Sequence, residues 1–125
     1  MERREQMLKV YVAGPYSSSA AIGVLENIRN GVNMCMDIMK AGFSPYCPWS
    51  DFIFALLDTE GSITVQQYQE SSMEWLKACD AMLLVEGWEE SAGTKAEIFE
   101  AKKLNIPVFF LFADLLLWRS EFEGC

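Results

Sequence analysis

The segment Ser91–Glu97 places one carboxylate just inside the start of a predicted helix. A strand-like run, Ala81–Val85, and a loop precede this segment, so we expect Glu97 to lie near the carboxyl edge of a sheet. Open α/β sheets bind ligands at that edge. A carboxylate there can attack an electrophilic carbon, as in retaining glycosidases. The spacing Thr94-x-x-Glu97 also fits a helix capping box, and the residues alone leave both interpretations open.

The amino-acid composition limits which catalytic groups and which kinds of partner the chain can use. The chain has no histidine, which excludes Ser-His-Asp and Cys-His catalysis and any zinc site that needs imidazole. Acid–base steps must use carboxylates, tyrosine, lysine or cysteine. A net charge of −8 disfavours a nucleic acid polymer as partner. A small anionic ligand is still compatible, because backbone amides and hydroxyls bind phosphate without positive side chains.

Length and cysteine usage predict one domain in a reducing compartment. A chain of 125 residues can bury its own core, and we take residues 1–125 as a single domain. The four cysteines form no CxxC pair and no signal peptide is evident, so we expect reduced thiols and a cytoplasmic protein. The apolar run Ile106–Trp118 contains Pro107 and Asp114 and is too short to span a membrane.

Strand and helix patterns alternate along the chain. Apolar runs predict strands at Lys9–Ala13, Phe43–Cys47, Ala81–Val85 and Pro107–Phe112. Helical spacing predicts helices at Ala20–Lys40, Asp51–Leu57, Val65–Ala78 and Thr94–Leu104, and a last helix or packing arm at Asp114–Phe122. Residues Met1–Met7 read as a frayed, charged start. The alternation favours an α/β fold, a Rossmann/flavodoxin-like three-layer sandwich with a mostly parallel sheet of four to five strands.

Several short segments, taken in order, resemble one enzyme family. They are Val12-Ala13-Gly14-Pro15-Tyr16, Glu26-Asn27-Ile28-Arg29, Pro45-Tyr46-Cys47-Pro48, Asp80, Ser91-x-Gly93-Thr94-x-x-Glu97 and Ile106-Pro107-Val108. Together they resemble the nucleoside 2-deoxyribosyltransferase superfamily, which includes the 2'-deoxynucleoside 5'-monophosphate N-glycosidases. The resemblance extends from about Lys9 to Phe112.

The resemblance implies an enzyme that cleaves or transfers the N-glycosidic bond of 2'-deoxynucleosides or their 5'-monophosphates. Glu97 matches the glutamate that attacks the anomeric carbon and forms a covalent glycosyl-enzyme, and Tyr16 matches an aromatic catalytic-site residue that shapes the sugar site. Hydrolase and transferase both stay open. The resemblance implies no metal and no organic cofactor, and it implies a homodimer or larger homo-oligomer acting in nucleotide metabolism.

The same comparison suggests the residues that hold the substrate. Ser91 stands where the transferases carry an Asp against the base and the nucleotide hydrolases a Ser against the 5'-phosphate. An Asp there would repel a phosphate by about 1 kcal/mol or more, so Ser91 favours a monophosphate. The remaining candidates for substrate contact are Gly14, Ser17, Ser18, Ser19, Trp49, Ser72 and Gly93.

One position departs from the family. Relatives carry an Asp that positions the sugar or protonates the base where this chain has Ser72, so the acid for the leaving base is unassigned. That departure keeps a rival hypothesis open, a non-catalytic module that binds a nucleotide or an ADP-ribose-like ligand. Helix capping by Ser91 and a solvated turn at Ser17–Ser19 are the structural alternatives for the hydroxyl groups.

Overall fold

The computed structural model describes residues 7–123. Within them four strands form one parallel sheet: β1 Lys9–Ala13, β2 Ser44–Tyr46, β3 Ala81–Leu84 and β4 Val108–Phe109, in the order β2-β1-β3-β4. The helices are α1 Ala21–Lys40, α2 Asp51–Leu57, α3 Val65–Lys77, α4 Ala92–Lys103 and α5 Phe112–Glu123. Short 3₁₀ turns lie at Pro48–Ser50 and Trp88–Glu90. The predicted Rossmann/flavodoxin-like α/β fold is confirmed.

Helices cover both faces of the sheet. Successive strand residues point to opposite faces, so each face has its own set of buried strand residues. On one face, alternate residues of β1 and β3 pack with Ile38 of α1 and Leu115 of α5. On the other face, the intervening strand residues pack with Leu76 of α3 and Ala101 of α4. The two sets of strand residues are Val10, Val12, Ala81 and Leu83, and Tyr11, Ala13, Met82 and Leu84. This double burial explains why β1 and β3 read as continuous apolar runs.

Two predicted boundaries are wrong. The strand predicted at Pro107–Phe112 contains only Val108–Phe109, which pair with Met82 and Leu83 of β3, and the chain enters α5 at Phe112. The apolar run therefore contributes residues to two elements, the strand β4 and the start of the helix α5. The helix predicted from Thr94 begins at Ala92 instead, and this shift changes the role of Glu97.

No helix within residues 7–123 has the length and apolar character needed to cross a membrane. The thiols of Cys35, Cys47 and Cys79 are not in disulfides. Cys125 and the predicted frayed start, apart from Met7, lie outside the described residues.

Candidate active site

A cavity of about 1030 Å³ opens at the carboxyl edge of the sheet. Gly14 follows β1, Pro48 follows β2 and Gly87 follows β3, and all three line it. The strand order reverses between β1 and β3, so the cavity lies at the switch point where open α/β sheets bind ligands. A second depression, of about 360 Å³ at the start of β4, is lined by no carboxyl group.

Glu97 points into this cavity from the second turn of α4. Its Oε2 accepts a hydrogen bond from the phenol of Tyr11, which reaches it from β1. The bond leaves Oε1 as the oxygen for a reaction partner in the cavity. Burial raises the pKa of the Glu97 carboxyl to about 7, although the Tyr11 hydrogen bond acts to lower it. A half-buried carboxyl with a strongly shifted pKa in a cleft is typical of a functional group.

The capping interpretation of Glu97 is wrong. Since α4 begins at Ala92, the capping residue is Ser91, whose Oγ accepts the Thr94 backbone N–H at 3.1 Å and the Thr94 hydroxyl at 2.9 Å. Thr94 is then the third helical residue rather than the cap, and Glu97 is one turn too far along to reach the cap amide. The Glu97 carboxyl is therefore available to the cavity.

Tyr11 is a site residue that the sequence analysis missed. Its ring stacks on Tyr46 with centroids 5.3 Å apart, and Tyr46 stacks on Trp75 at 5.5 Å. The Ser72 hydroxyl lies within hydrogen-bonding reach of both phenol oxygens. Burial and the nearby Glu97 charge hold the pKa of the Tyr11 phenol well above its usual range, so this phenol stays a donor. The sequence did contain one sign of this role, a single tyrosine in a buried strand. A buried phenol hydroxyl needs a hydrogen-bond partner.

Two side chains donate hydrogen bonds to the backbone of the loop after β1. Asn27 Nδ2 donates to the carbonyls of Tyr16 and Ser17 at 3.2 and 3.3 Å. Trp49 Nε1 donates to the Pro15 carbonyl at 3.0 Å. These bonds fix the loop backbone, and Tyr16 and Ser17 of the same loop line the cavity.

The structure brings most of the predicted site residues to one place. Those that line the cavity are Gly14, Tyr16, Ser17, Ser18, Ser72, Ser91, Gly93 and Glu97. Ser19 is exposed and does not line it, because the chain turns into α1 there. What these residues bind stays a prediction.

Trp49 is placed differently from expectation. Its side chain is only 3% exposed and belongs to the core on the α1 side of the sheet. It lies over Gly31, where a Cβ would overlap the indole, and beside Gly14, where a Cβ would come within 3.1 Å of it. Trp49 therefore shapes the cavity through the Gly14–Pro15 backbone rather than from its wall.

The cavity also holds residues that were not predicted to bind substrate. Three further carboxyl side chains line it, Glu26, Asp51 and Glu90, together with Tyr68 of α3. None of the lysine and arginine side chains within residues 7–123 lines it. That same part of the chain brings together no group of three or more residues that could hold a metal ion. The site is thus acidic, hydroxyl-rich and aromatic.

Comparison with known proteins assigns a family without an activity. No curated protein matches the chain. A family model described as a domain of unknown function, DUF7768, matches residues 8–111, which include β1, the Tyr11–Glu97 pair and the whole cavity. The chain therefore belongs to the DUF7768 family.

Proposed function

We propose that this chain cleaves or transfers the N-glycosidic bond of 2'-deoxynucleosides or their 5'-monophosphates through a covalent glycosyl-Glu97 intermediate. The observation that supports it most is the Glu97 carboxyl, which faces the cavity, is held by Tyr11 and does not cap its own helix. A second support is the similarity of the residues around it to the nucleoside 2-deoxyribosyltransferase superfamily.

In the proposed reaction Glu97 acts as nucleophile. Its Oε1 attacks the anomeric carbon while the bond from that carbon to the base nitrogen breaks, and water or a second base later displaces Glu97. The carboxylate stabilises the positive charge that develops on the sugar before it bonds to it. Tyr11 fixes the rotamer of Glu97, which matters because attack requires the reacting atoms to be aligned about 3–3.5 Å apart.

The walls of the cavity supply groups for the rest of the substrate. Tyr16 and Tyr68 offer aromatic surface for the sugar and base. Ser91 Oγ accepts two hydrogen bonds from Thr94, which leaves its own proton to donate to a 5'-hydroxyl or 5'-phosphate. Ser17 and Ser18 add hydroxyls at the start of α1.

The test is release of free base from a panel of 2'-deoxynucleosides and their 5'-monophosphates. We expect Glu97→Gln to lose activity by at least about 10³-fold, and Glu100→Gln, a control on the same helix outside the cavity, to retain it. Addition of a second free base distinguishes a transferase, which forms the exchanged nucleoside, from a hydrolase. Recovery of every bound nucleotide intact after long incubation with the wild-type protein would refute catalysis and support a binding module.

We further propose that the protein is cytoplasmic and forms a homodimer or larger homo-oligomer. The free thiols fit a reducing compartment. Large apolar side chains are exposed on α2 and the start of α3 beside the cavity, namely Ile53, Phe54, Leu56, Leu57 and Val65, and contiguous exposed apolar surface marks interfaces. A single monomeric species in sedimentation at micromolar concentration would contradict the assembly.

A further inference from the structure

Asp51 is a cavity residue with no structural partner. It is the first residue of α2, and its backbone N–H donates to the carbonyls of Pro48 and Trp49, which fixes its position. Its side chain lines the cavity that also contains Glu97 and Ser72. The carboxyl is half-buried and makes no hydrogen bond or ion pair with any residue from 7 to 123. It therefore neither caps a helix nor holds a loop.

The proposed reaction needs a proton donor for the leaving base, and none of the residues that match the nucleoside 2-deoxyribosyltransferase superfamily supplies one. When the glycosidic bond of a neutral nucleoside breaks, its electron pair passes to the base, and an anionic base is a poor leaving group. Protonation of a ring nitrogen during departure removes that problem. The superfamily that the sequence resembles carries an Asp where this chain has Ser72, and a serine hydroxyl is too weak an acid for this step.

Asp51 and Glu97 reach the cavity from different elements of the fold. Asp51 enters from the β2 edge of the sheet, whereas Glu97 enters from α4, after β3. Both carboxyls are close enough to the Tyr46 phenol to contribute to its raised pKa, although burial is the larger cause. The two groups therefore approach one substrate-sized space from different elements. The other two carboxyls of the lining, Glu26 and Glu90, are exposed to solvent.

We propose that Asp51 is the general acid that protonates the leaving base, a role that rests on the function proposed above. As Glu97 Oε1 forms its bond to the anomeric carbon, the carbon–nitrogen bond breaks and its electron pair returns to the base. The proton of the Asp51 carboxyl passes to a ring nitrogen, so a neutral base leaves and Asp51 becomes a carboxylate. In the second half-reaction that carboxylate takes a proton from the attacking water, which restores both groups.

Burial raises the pKa of both carboxyls, that of Glu97 to about 7 and that of Asp51 above its usual value. Glu97 has the larger shift without substrate, so bound substrate must separate the proton affinities of the two groups. A base bound against Asp51 would exclude further water and raise its pKa more. The Tyr11 hydrogen bond and a sugar carbon that becomes positive would both favour the carboxylate of Glu97.

The test compares two donors that differ in their need for a proton. The first is a neutral 2'-deoxypurine nucleoside that the wild-type protein cleaves, and the second is its N7-methylated cation, whose base leaves neutral without protonation. We expect Asp51→Asn to lose about 10²–10³-fold in kcat/KM on the neutral donor and less than about tenfold on the cation. Asp51→Glu should regain part of the loss, and Asp37→Asn, on the exposed side of α1, is the matched control.

The outcomes separate this role from the proposed function. If Glu97→Gln abolishes cleavage but Asp51→Asn loses equally on both donors, or on neither, then Asp51 is not the acid and the proposed function stands. Absence of cleavage of either donor by the wild-type protein would overturn the proposed function and this role together. A large loss confined to the neutral donor supports the role, because a structural defect would reduce both rates alike.

Discussion

Replacement of Tyr11 by phenylalanine isolates one hydrogen bond of the candidate active site. Tyr11→Phe keeps the ring that stacks on Tyr46 and removes only the hydroxyl that donates to Glu97. That hydroxyl stabilises the charged form of Glu97, so its loss must raise the pKa of Glu97 above its present value of about 7. The variant therefore reduces the fraction of molecules that carry the nucleophile.

The size of the effect follows from the strength of the bond. A hydrogen bond to a charged group contributes about 1.5–3 kcal/mol, which corresponds to about 1–2 pKa units. The pKa of Glu97 would then rise from about 7 to about 8–9. At pH 7 the carboxylate fraction falls from about one half to about 1–10%. We expect kcat/KM at pH 7 to fall by about 5–50-fold and to recover at higher pH.

The assay is the pH dependence of base release by wild-type and variant proteins. The ratio of variant to wild-type kcat/KM should rise from about 0.02–0.2 at pH 7 to within about twofold of 1 at pH 9.5. Tyr46→Phe is the control, since Tyr46 belongs to the same stack and makes no hydrogen bond to Glu97. A ratio for Tyr11→Phe that does not change with pH would refute the electrostatic role and leave Tyr11 a packing residue.

Three further predictions concern stability and reactivity. The folded-state pKa of Glu97 is raised to about 7 by burial, so the stability that protonated Glu97 supports is lost as pH rises from about 4.5 to 7. Glu97→Gln should then raise the free energy of unfolding, relative to wild type, by about 2–3 kcal/mol more at pH 8 than at pH 4, and a pH-independent difference in urea titrations would contradict this. Gly31→Ala should displace Trp49 and destabilise the fold by about 1–3 kcal/mol, which thermal unfolding would measure, and an unchanged midpoint would be inconsistent with the packing. A hydrogen bond from the Cys35 thiol lowers the pKa of Cys47, whereas burial raises the pKa of Cys79 to about 11. Peptide mapping at pH 8 should therefore show Cys47 alkylated at least about 100-fold faster than Cys79. Equal alkylation rates would contradict these two pKa shifts.

Strand and helix periodicity were sufficient to predict the architecture. β3 and the residues of β1 after Lys9 are buried on both faces, so they carry no charged side chain, and α1 buries one face at Gly31, Cys35 and Ile38. Position relative to the strands also predicted that Glu97 would meet Gly14 and Ser91 at one edge. These inferences succeed because burial imposes a repeat on the sequence.

The details of the site could not be read in the same way. Two caps were open for α4, Thr94 with Glu97 or Ser91 alone, and the structure forms the second. The capping box that does form joins Thr64 and Gln67 of α3. From the sequence, Tyr11 is indistinguishable from a core residue. Only the structure shows that its hydroxyl donates to Glu97, which lies 86 positions later in the chain. Local patterns predict local bonds, and contacts between distant elements depend on how the sheet is assembled.

The most direct test of the central claim is to trap the intermediate. A 2'-fluoro-substituted donor slows formation of the positively charged sugar and its later displacement, so a covalent glycosyl-enzyme should accumulate. The account predicts a mass increase of one fluorosugar per chain, located by peptide mapping on Glu97 and absent from Glu97→Gln. Release of base with no adduct, or an adduct on another side chain, would contradict it.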